Sequence, residues 1–155
     1  MKIIFTKTGN EEQVLSCKRK DGSITWMHIS SFFISHDLCH YAVETVMPLR
    51  NAFYGMVNNG TDITEFDLPK DKRNIVLAEE ALFAEQLVNL LTIEYAQGRM
   101  DNFIEIFNGI YERDNEWSCL ITNEKLEEIR SVYNRLMQQW NSLSEFETMT
   151  VLFED

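Results

Sequence analysis

Residues 35–44 read Ser35-His36-Asp37-Leu38-Cys39-His40-Tyr41-Ala42-Val43-Glu44. We predict that this stretch opens the first long helix, because the Ser35 hydroxyl can accept a hydrogen bond from a first-turn amide as an N-cap. Asp37 would then lie in the first turn, where a negative charge suits the positive end of the helix dipole. The helix is expected to run from about residue 36 to residue 57.

The two faces of this predicted helix differ in polarity. At about 100° per residue, one face carries an apolar stripe that consists of Leu38, Ala42, Val46, Leu49, Phe53 and Val57. The opposite face carries His36, Asp37, His40, Glu44 and Asn51. The histidines therefore face solvent, or a cleft closed by another part of the chain. Pro48 removes one backbone hydrogen bond and should kink the helix.

Short strands are predicted on both sides of the helical part of the chain. Residues 2–7, 13–18 and 24–29 alternate in polarity, and Asp21-Gly22 between the last two favours a tight hairpin turn. This pattern predicts a three-stranded antiparallel meander. In residues 147–153, Met149, Val151 and Phe153 occupy alternate positions next to Thr148 and Thr150, which is typical of a further strand that returns to the sheet.

Three more helices are expected between the first helix and the C-terminal strand. One spans about residues 75–97 and stops at Gly98, and a short one carries Phe103 to Ile110. A loop is expected at 113–121, followed by a last helix capped by Thr122 or Asn123. The fold class is therefore α+β, with residues 1–155 as a single domain in which a four-stranded sheet packs against about four helices.

Composition restricts the compartment and the partners. The net charge is −11, with 25 acidic against 14 basic residues, which opposes binding to nucleic acid or to anionic membrane surfaces. The three cysteines, Cys17, Cys39 and Cys119, lack CxxC spacing and are expected to be reduced thiols. No apolar run has the length of a signal peptide or of a membrane span. We expect a cytoplasmic protein.

The polar face of the first helix is the candidate site. His36 and His40 are four residues apart, so their rings can share a divalent, zinc-like metal ion. His36 at the helix start would be kept neutral by the dipole. Glu44 lies about 12 Å from His36 along the axis, so it is expected to orient the His40 ring rather than to share the metal with His36. Asp37 is the second acidic residue that we expect to support the histidine ligands without binding the metal itself.

A third ligand has to come from another segment. Our candidate is Glu80, which projects from the apolar face of the second helix, and Glu85 and His28 are alternatives. Glu80 has a less specific interpretation as a carboxylate satisfied by a neighbouring polar group. His28 shares a strand face with Trp26 and Ile24, which favours a core or interface histidine.

The whole polar face also has a less specific interpretation. It is either a solvated surface or a hydrogen-bonded network that locks the helix to the sheet. Cys39 turns toward the apolar stripe, which disfavours a Cys–His nucleophilic pair. Gly-rich phosphate loops, G-x-S-x-G and H-E-x-x-H motifs do not occur in the sequence.

A family of small uncharacterised bacterial α+β proteins is similar to this chain in several segments. The resemblance lies in the helix motif His36-Asp37-Leu38-x-His40-Tyr41-x-Val43-Glu44, in Phe53-Tyr54-Gly55 and in Ala78-Glu79-Glu80-Ala81-Leu82. Those proteins begin with a strand meander that ends in a tryptophan, as Trp26 does here, and they finish in a short strand. The resemblance implies the fold and the compartment, and it supplies no activity.

Two hypotheses about function follow. In the first, the protein binds a divalent metal or a small polar ligand at His36 and His40, and a hydrolase-like enzyme is one form of this hypothesis. In the second, it is a noncatalytic protein–protein interaction module. Such a module would pair as a homodimer or homo-oligomer through an exposed sheet edge or a Trp-containing helix face.

Overall fold

A computed structural model of the chain describes residues 1–47, 49–110 and 120–154. Its elements in chain order are β1 (Lys2–Thr6), β2 (Glu12–Lys18), β3 (Ile24–Ser30), α1 (Ser31–Val46), α2 (Phe53–Asn58), α3 (Glu79–Gln97), α4 (Phe103–Ile110), α5 (Asn123–Ser142) and β4 (Thr148–Leu152). Two short 3₁₀ helices, Ile63–Asp67 and Lys70–Lys72, lie between α2 and α3.

The sheet has the order β3-β2-β1-β4. All three pairings are antiparallel, and Phe5 of β1 lies opposite Leu15 of β2 and Met149 of β4. Gly22 has a φ of 89° in the β2–β3 turn, a conformation that glycine adopts without a steric penalty. The predicted α+β class, the N-terminal meander and the returning C-terminal strand are confirmed.

The core lies between one face of the sheet and the helices. Alternate residues of each strand point inward, and the fully buried ones include Ile3, Phe5, Leu15, Cys17 and Met149. Helix α1 is central, because it packs against both α3 and α5. A helix with neighbours on two sides buries more than one narrow stripe, so part of its polar face is also removed from water.

Helix α1 begins earlier than predicted. Ser30 is the N-cap residue, and Ser35 lies inside the helix, where its hydroxyl donates to the Phe32 carbonyl at 3.2 Å. The predicted Ser35 cap is therefore wrong, and Asp37 does not lie in the first turn of the helix. The reason is that Ile34 and Leu38, four residues apart, are both buried, so the apolar periodicity extends toward the N-terminus. Phe32 is 79% exposed.

The single helix expected over residues 36–57 is two helices in the structure. Helix α1 ends at Val46, and α2 covers only Phe53–Asn58. Between them, the Leu49 amide donates to the Glu44 carbonyl at 3.1 Å, and the Leu49 side chain is buried, so the chain turns there. Pro48, where a kink was predicted, lies outside the described residues. Gly60, with a φ of 112°, follows the C-terminal end of α2.

The later helices follow their predicted stop and cap signals. Gly98 ends α3 with a φ of 108°, and the Thr122 hydroxyl accepts from the Lys125 amide at 3.3 Å at the start of α5. Helix α3 begins at Glu79 rather than at residue 75. The acidic pair Glu79 and Glu80 forms its first turn, where carboxylates suit the helix dipole.

Two further expectations from the sequence concern the loop at 113–121 and membrane-spanning helices. Most of the predicted loop at 113–121 lies outside the described residues. Among the helices of the described part of the chain, none has both the length and the apolar composition that a membrane crossing needs.

Candidate metal centre

Two helices bring three potential metal ligands together. His36 and His40 lie on adjacent turns of α1, with ring centroids 4.8 Å apart, as their spacing predicted. Glu85 of α3 lies opposite them. Its Oε2 atom is 3.1 Å from His40 Nε2 and 3.6 Å from His36 Nε2. The three ligand atoms all lie within 4.8 Å of one another. We call this group the triad.

His40 is held from both sides by carboxylates. Its Nδ1 atom lies 3.1 Å from Glu44 Oε1, and its Nε2 atom faces Glu85. The ring is buried and packs against Phe53 with a centroid distance of 5.3 Å. Burial alone would lower the pKa of His40, but the hydrogen bonds and charges of Glu44 and Glu85 together raise it to about 9. Both ring nitrogens therefore donate to the carboxylates.

Glu44 is the most deeply buried member of this network. Its side chain has no solvent exposure, and its second oxygen, Oε2, accepts from the Gly55 amide at 3.1 Å. Burial raises the pKa of Glu44 above its ordinary value, although the His40 and Gly55 hydrogen bonds oppose this shift. The predicted partnership of Glu44 with His40 is confirmed as a hydrogen bond.

Gly55 allows α2 to pass close to the backbone of the segment before it, and its amide then reaches this carboxylate. A Cβ atom at position 55 would lie only 2.3 Å from the carbonyl oxygen of Arg50. The start of α2 therefore requires glycine at this position. In this way the short helix α2, rather than a continuation of α1, holds Glu44 and through it His40.

Glu85 and His36 form the more open side of the triad. The Glu85 side chain is 46% exposed and that of His36 is 20% exposed. Burial tends to raise the pKa of Glu85, but the hydrogen bonds and charges of His36 and His40 hold it well below its usual range. His36 lies in the second turn of α1, so the expected effect of the helix dipole on its ring does not apply.

The triad opens into a cleft of about 530 Å³. That size is in the range of pockets that hold small molecules. Aromatic and aliphatic side chains make up much of its wall, together with the charged residues Asp37, Asp67, Lys70, Arg73 and Glu85. Asp37 is buried in this wall, and burial is the main reason that its pKa is raised to about 7; the positive charge of His40 opposes the shift.

Glu80, the predicted third ligand, is not near the triad. Its two carboxylate oxygens accept from the backbone amide and the side-chain amide of Asn51, at 2.8 and 3.0 Å. Glu80 and Glu85 are five residues apart, which is about 140° around a helix, so they point in different directions. Glu80 therefore anchors the segment before α2, and its interpretation as a carboxylate satisfied by a polar neighbour agrees with the geometry.

His28, the other alternative ligand, lies on the exposed side of β3. Thr25 and Ile29 are the buried residues of that strand, so His28, Trp26 and Ile24 point away from the core. The expectation of a core histidine is therefore wrong, and that of an interface histidine stays a prediction. The His28 ring packs edge-on against Trp26, at a centroid distance of 5.5 Å.

The cysteines behave as the apolar pattern indicated. Cys39 is fully buried, and its Sγ atom lies 4.0 Å from the Val88 carbonyl oxygen. Burial raises the pKa of Cys39 well above its ordinary value, and it raises the pKa of Cys17 to about 12. Neither thiol is activated as a nucleophile. Cys119 lies outside the described residues.

Sequence reasoning missed several contributors to the site. Phe53 was assigned to the core stripe, yet it packs on His40, and Gly55 was not linked to Glu44. The sequence indicated no role for Lys70 or Arg73, yet both line the cleft. The available signal was the glycine directly after two aromatic residues, which is unusual inside a helix and indicates a close backbone approach.

Comparison with known proteins adds no assignment. The chain matches no protein-family model, no curated protein and no solved structure. The function is therefore argued from the geometry of the triad and its cleft.

Proposed function

We propose that this protein binds a divalent metal ion, zinc-like in its ligand preference, through His36, His40 and Glu85. The observation that carries the proposal is the convergence of the three ligand atoms within 4.8 Å of one another. Two imidazoles and one carboxylate are a donor set found in zinc sites that keep a position open for a further ligand, and the same set also binds ferrous iron.

The distances within the triad support a small ion at its centre. Ligand atoms arranged tetrahedrally at zinc bond lengths are about 3.3 Å apart. The two distances from Glu85 Oε2, 3.1 and 3.6 Å, lie on either side of this value. The remaining adjustment is a closer approach of the two imidazoles, which rotation of the partly exposed His36 ring can supply.

The surroundings of His40 support the same role. A metal-binding histidine usually donates its other ring N–H to a carboxylate or a carbonyl, which sets the tautomer and the ring orientation. Glu44 accepts from Nδ1 of His40, and Nε2 of the same ring faces the other two ligands. Metal binding would replace the proton on Nε2 and retain the one on Nδ1.

A contrasting hypothesis explains the same contacts without a metal. In that hypothesis, a protonated His40 between Glu44 and Glu85 only locks α1 to α3. The two hypotheses differ in one measurable quantity, which is the metal content of the purified protein. They also differ in the expected response of the protein to a chelator.

The test is elemental analysis of untagged protein, purified both in air and without oxygen so that zinc and ferrous iron are both retained. We expect about one divalent ion per chain, lost on substitution His36→Ala, His40→Ala or Glu85→Gln. A chelator should lower the melting temperature of the wild type, because an ion that binds only the folded state stabilises it.

His28→Ala is the matched control, because His28 is the one histidine outside the triad, and it lines the same cleft without belonging to the group of converging ligand atoms. Its metal content should equal that of the wild type. Metal below stoichiometry that stays the same in all three triad variants would refute the proposal and leave the locking network.

A second candidate function is self-association. We infer it from β3, an edge strand of the sheet on which Ile24 and Trp26 are 58% and 55% exposed. The 3₁₀ helix Ile63–Asp67 already covers part of the edge, since the Ile63 amide donates to the Thr25 hydroxyl at 3.0 Å. A dimer would therefore use the open face of β3 rather than its whole edge. Light scattering of wild type and Trp26→Ser tests this, and a strict monomer at high concentration excludes it.

A further inference from the structure

We propose that the cleft beside the triad binds a small organic anion, a carboxylate or phosphate monoester carried on a flat apolar body. The flat apolar part of the ligand would lie against Phe53 and Phe66. Its anionic group would face Lys70 and Arg73, and the opposite end of the ligand would face the metal. The inference rests on the proposed function, because it takes the triad as the metal end of the same cleft.

An aromatic wall leads away from the triad. The Phe53 ring packs on His40 on one side and on Phe66 on the other, with centroid distances of 5.3 and 4.8 Å. Phe53 and Phe66 are both half-buried and both line the cleft. Phe33, half exposed beside His36, adds a third ring to the lining. Aromatic faces that are only partly covered favour a flat apolar ligand.

A cationic group follows the end of this wall. Arg73 donates from Nε to the Leu68 carbonyl at 2.6 Å and from Nη2 to the Phe66 carbonyl at 2.7 Å. These two bonds fix the guanidinium next to Phe66 and leave the Nη1 group for another acceptor. Lys70, one turn earlier and exposed, also lines the cleft. A fixed guanidinium beside an exposed ammonium group suits a carboxylate or a phosphate.

The acidic net charge of the chain makes the position of Lys70 and Arg73 in one cleft an argument for an anion site. With a net charge of −11, the protein as a whole repels anions, so an anion site needs a local concentration of positive charge. Lys70, Arg73 and a divalent ion in the triad would provide it. Asp37, Asp67 and Glu85 line the same cleft and provide negative charge. A cationic ligand is therefore the competing outcome that the experiment has to exclude.

The experiment is a set of NMR titrations that give dissociation constants for metal-loaded and metal-free protein. The anionic probes are phenyl phosphate and benzoate, and the choice between them identifies the preferred anion. Benzyl alcohol and benzylamine keep the ring without the negative charge, and inorganic phosphate and acetate keep the charge without the ring. We expect one of the two ringed anions to bind about tenfold more tightly than any of these four.

Two matched variants test the cation. Lys70→Ala should weaken binding of the preferred anion about fivefold, whereas Lys72→Ala, in the same 3₁₀ helix but outside the cleft lining, should change it less than about twofold. Equal effects of the two variants would overturn the role of Lys70. Equal affinity for benzyl alcohol, or tighter binding of benzylamine, would overturn anion selectivity. Equal affinity for inorganic phosphate would overturn the role of the aromatic wall.

The two proposals fail separately. If the protein takes up metal but binds neither ringed anion, the anion site is refuted and the metal site stands. If it takes up no metal but the ringed anions bind the metal-free protein in a Lys70-dependent manner, the metal site is refuted and the anion end of the cleft stands.

Discussion

Nδ1 of His40 lies 3.1 Å from a carboxylate oxygen of Glu44, and neither side chain is exposed to more than a trace of solvent. An ionic hydrogen bond in such surroundings is strong, and removing one partner leaves the other uncompensated. This pair therefore connects the stability of the protein to the geometry of its candidate metal site.

Glu44→Gln should weaken metal binding without unfolding the protein. The amide oxygen can still accept from His40, but it carries no full charge, and the NH₂ group cannot accept from Gly55. We expect about a tenfold loss of metal affinity, as is common for groups that orient a metal-binding histidine. Competition with a chromophoric chelator measures this affinity. An unchanged affinity would show that Glu44 has only a structural role.

Gly55→Ala should destabilise the protein by about 3 kcal/mol or more, because a Cβ atom there would overlap backbone atoms of Arg50. Urea unfolding measures the loss. Gly109→Ala is the control, because a Cβ at position 109 meets no atom within 4 Å. Alanine in that helix should be neutral or stabilising by up to about 1 kcal/mol. Equal effects of the two substitutions would contradict the close approach of α2.

Stability of the metal-free protein should fall as the pH rises from about 6.5 to about 9. The pKa of His40 is raised from 6.5 to about 9, so the folded state binds this proton more tightly than the unfolded state. The contribution of His40 to the free energy of unfolding is therefore complete below pH 6.5 and is lost above about pH 9. Asp37, whose pKa is raised from 3.8 to about 7, also contributes stability that is lost as the pH rises, but over this lower range.

Urea unfolding across the alkaline half of this range isolates His40. We expect the free energy of unfolding to decrease by an amount on the order of 2 kcal/mol in the wild type. His40→Gln should show a much flatter dependence. A wild-type free energy that stays constant or rises with pH would contradict the ionic link between His40 and its two carboxylates.

Glu80→Ala and Glu85→Ala should differ in their effect on metal content. Loss of Glu80 removes two acceptors for Asn51 and should cost about 1–3 kcal/mol of stability while metal content stays unchanged. Loss of Glu85 should abolish metal binding and should also cost about 1–3 kcal/mol of stability, because the buried Nε2 atom of His40 loses its acceptor. Paired urea unfolding and elemental analysis check both, with the exposed Gln86→Ala as control. Metal loss in Glu80→Ala would contradict the assignment.

Iodoacetamide should not label Cys17 or Cys39 in the folded protein. Both thiols are buried, and burial raises the pKa of each, so neither forms the reactive thiolate near neutral pH. Mass-spectrometric mapping in native buffer should find both unmodified, and labelling in urea should modify both. Rapid labelling of Cys39 in native buffer would contradict this prediction and would support a Cys–His nucleophilic pair.

Local signals in the sequence were sufficient for much of the fold. Asp21-Gly22, Gly98 and Thr122 each determine the conformation of a few residues through positive φ or a cap, and each occurs where predicted. Strand alternation also predicted β1, β2, β3 and β4 close to their observed positions. The four-residue step from His36 to His40, and on to Glu44, likewise survives because helical spacing is a local property.

The tertiary structure alone decided which acidic residue joins the histidines. Glu80 and Glu85 lie on one helix, and choosing between them requires the rotation and the position of α3 relative to α1. Packing of buried side chains between the two helices sets both quantities. The same holds for the break between α1 and α2, which Gly55 and the buried Glu44 stabilise together. Such contacts join residues far apart in the chain, so periodicity and capping signals cannot report them.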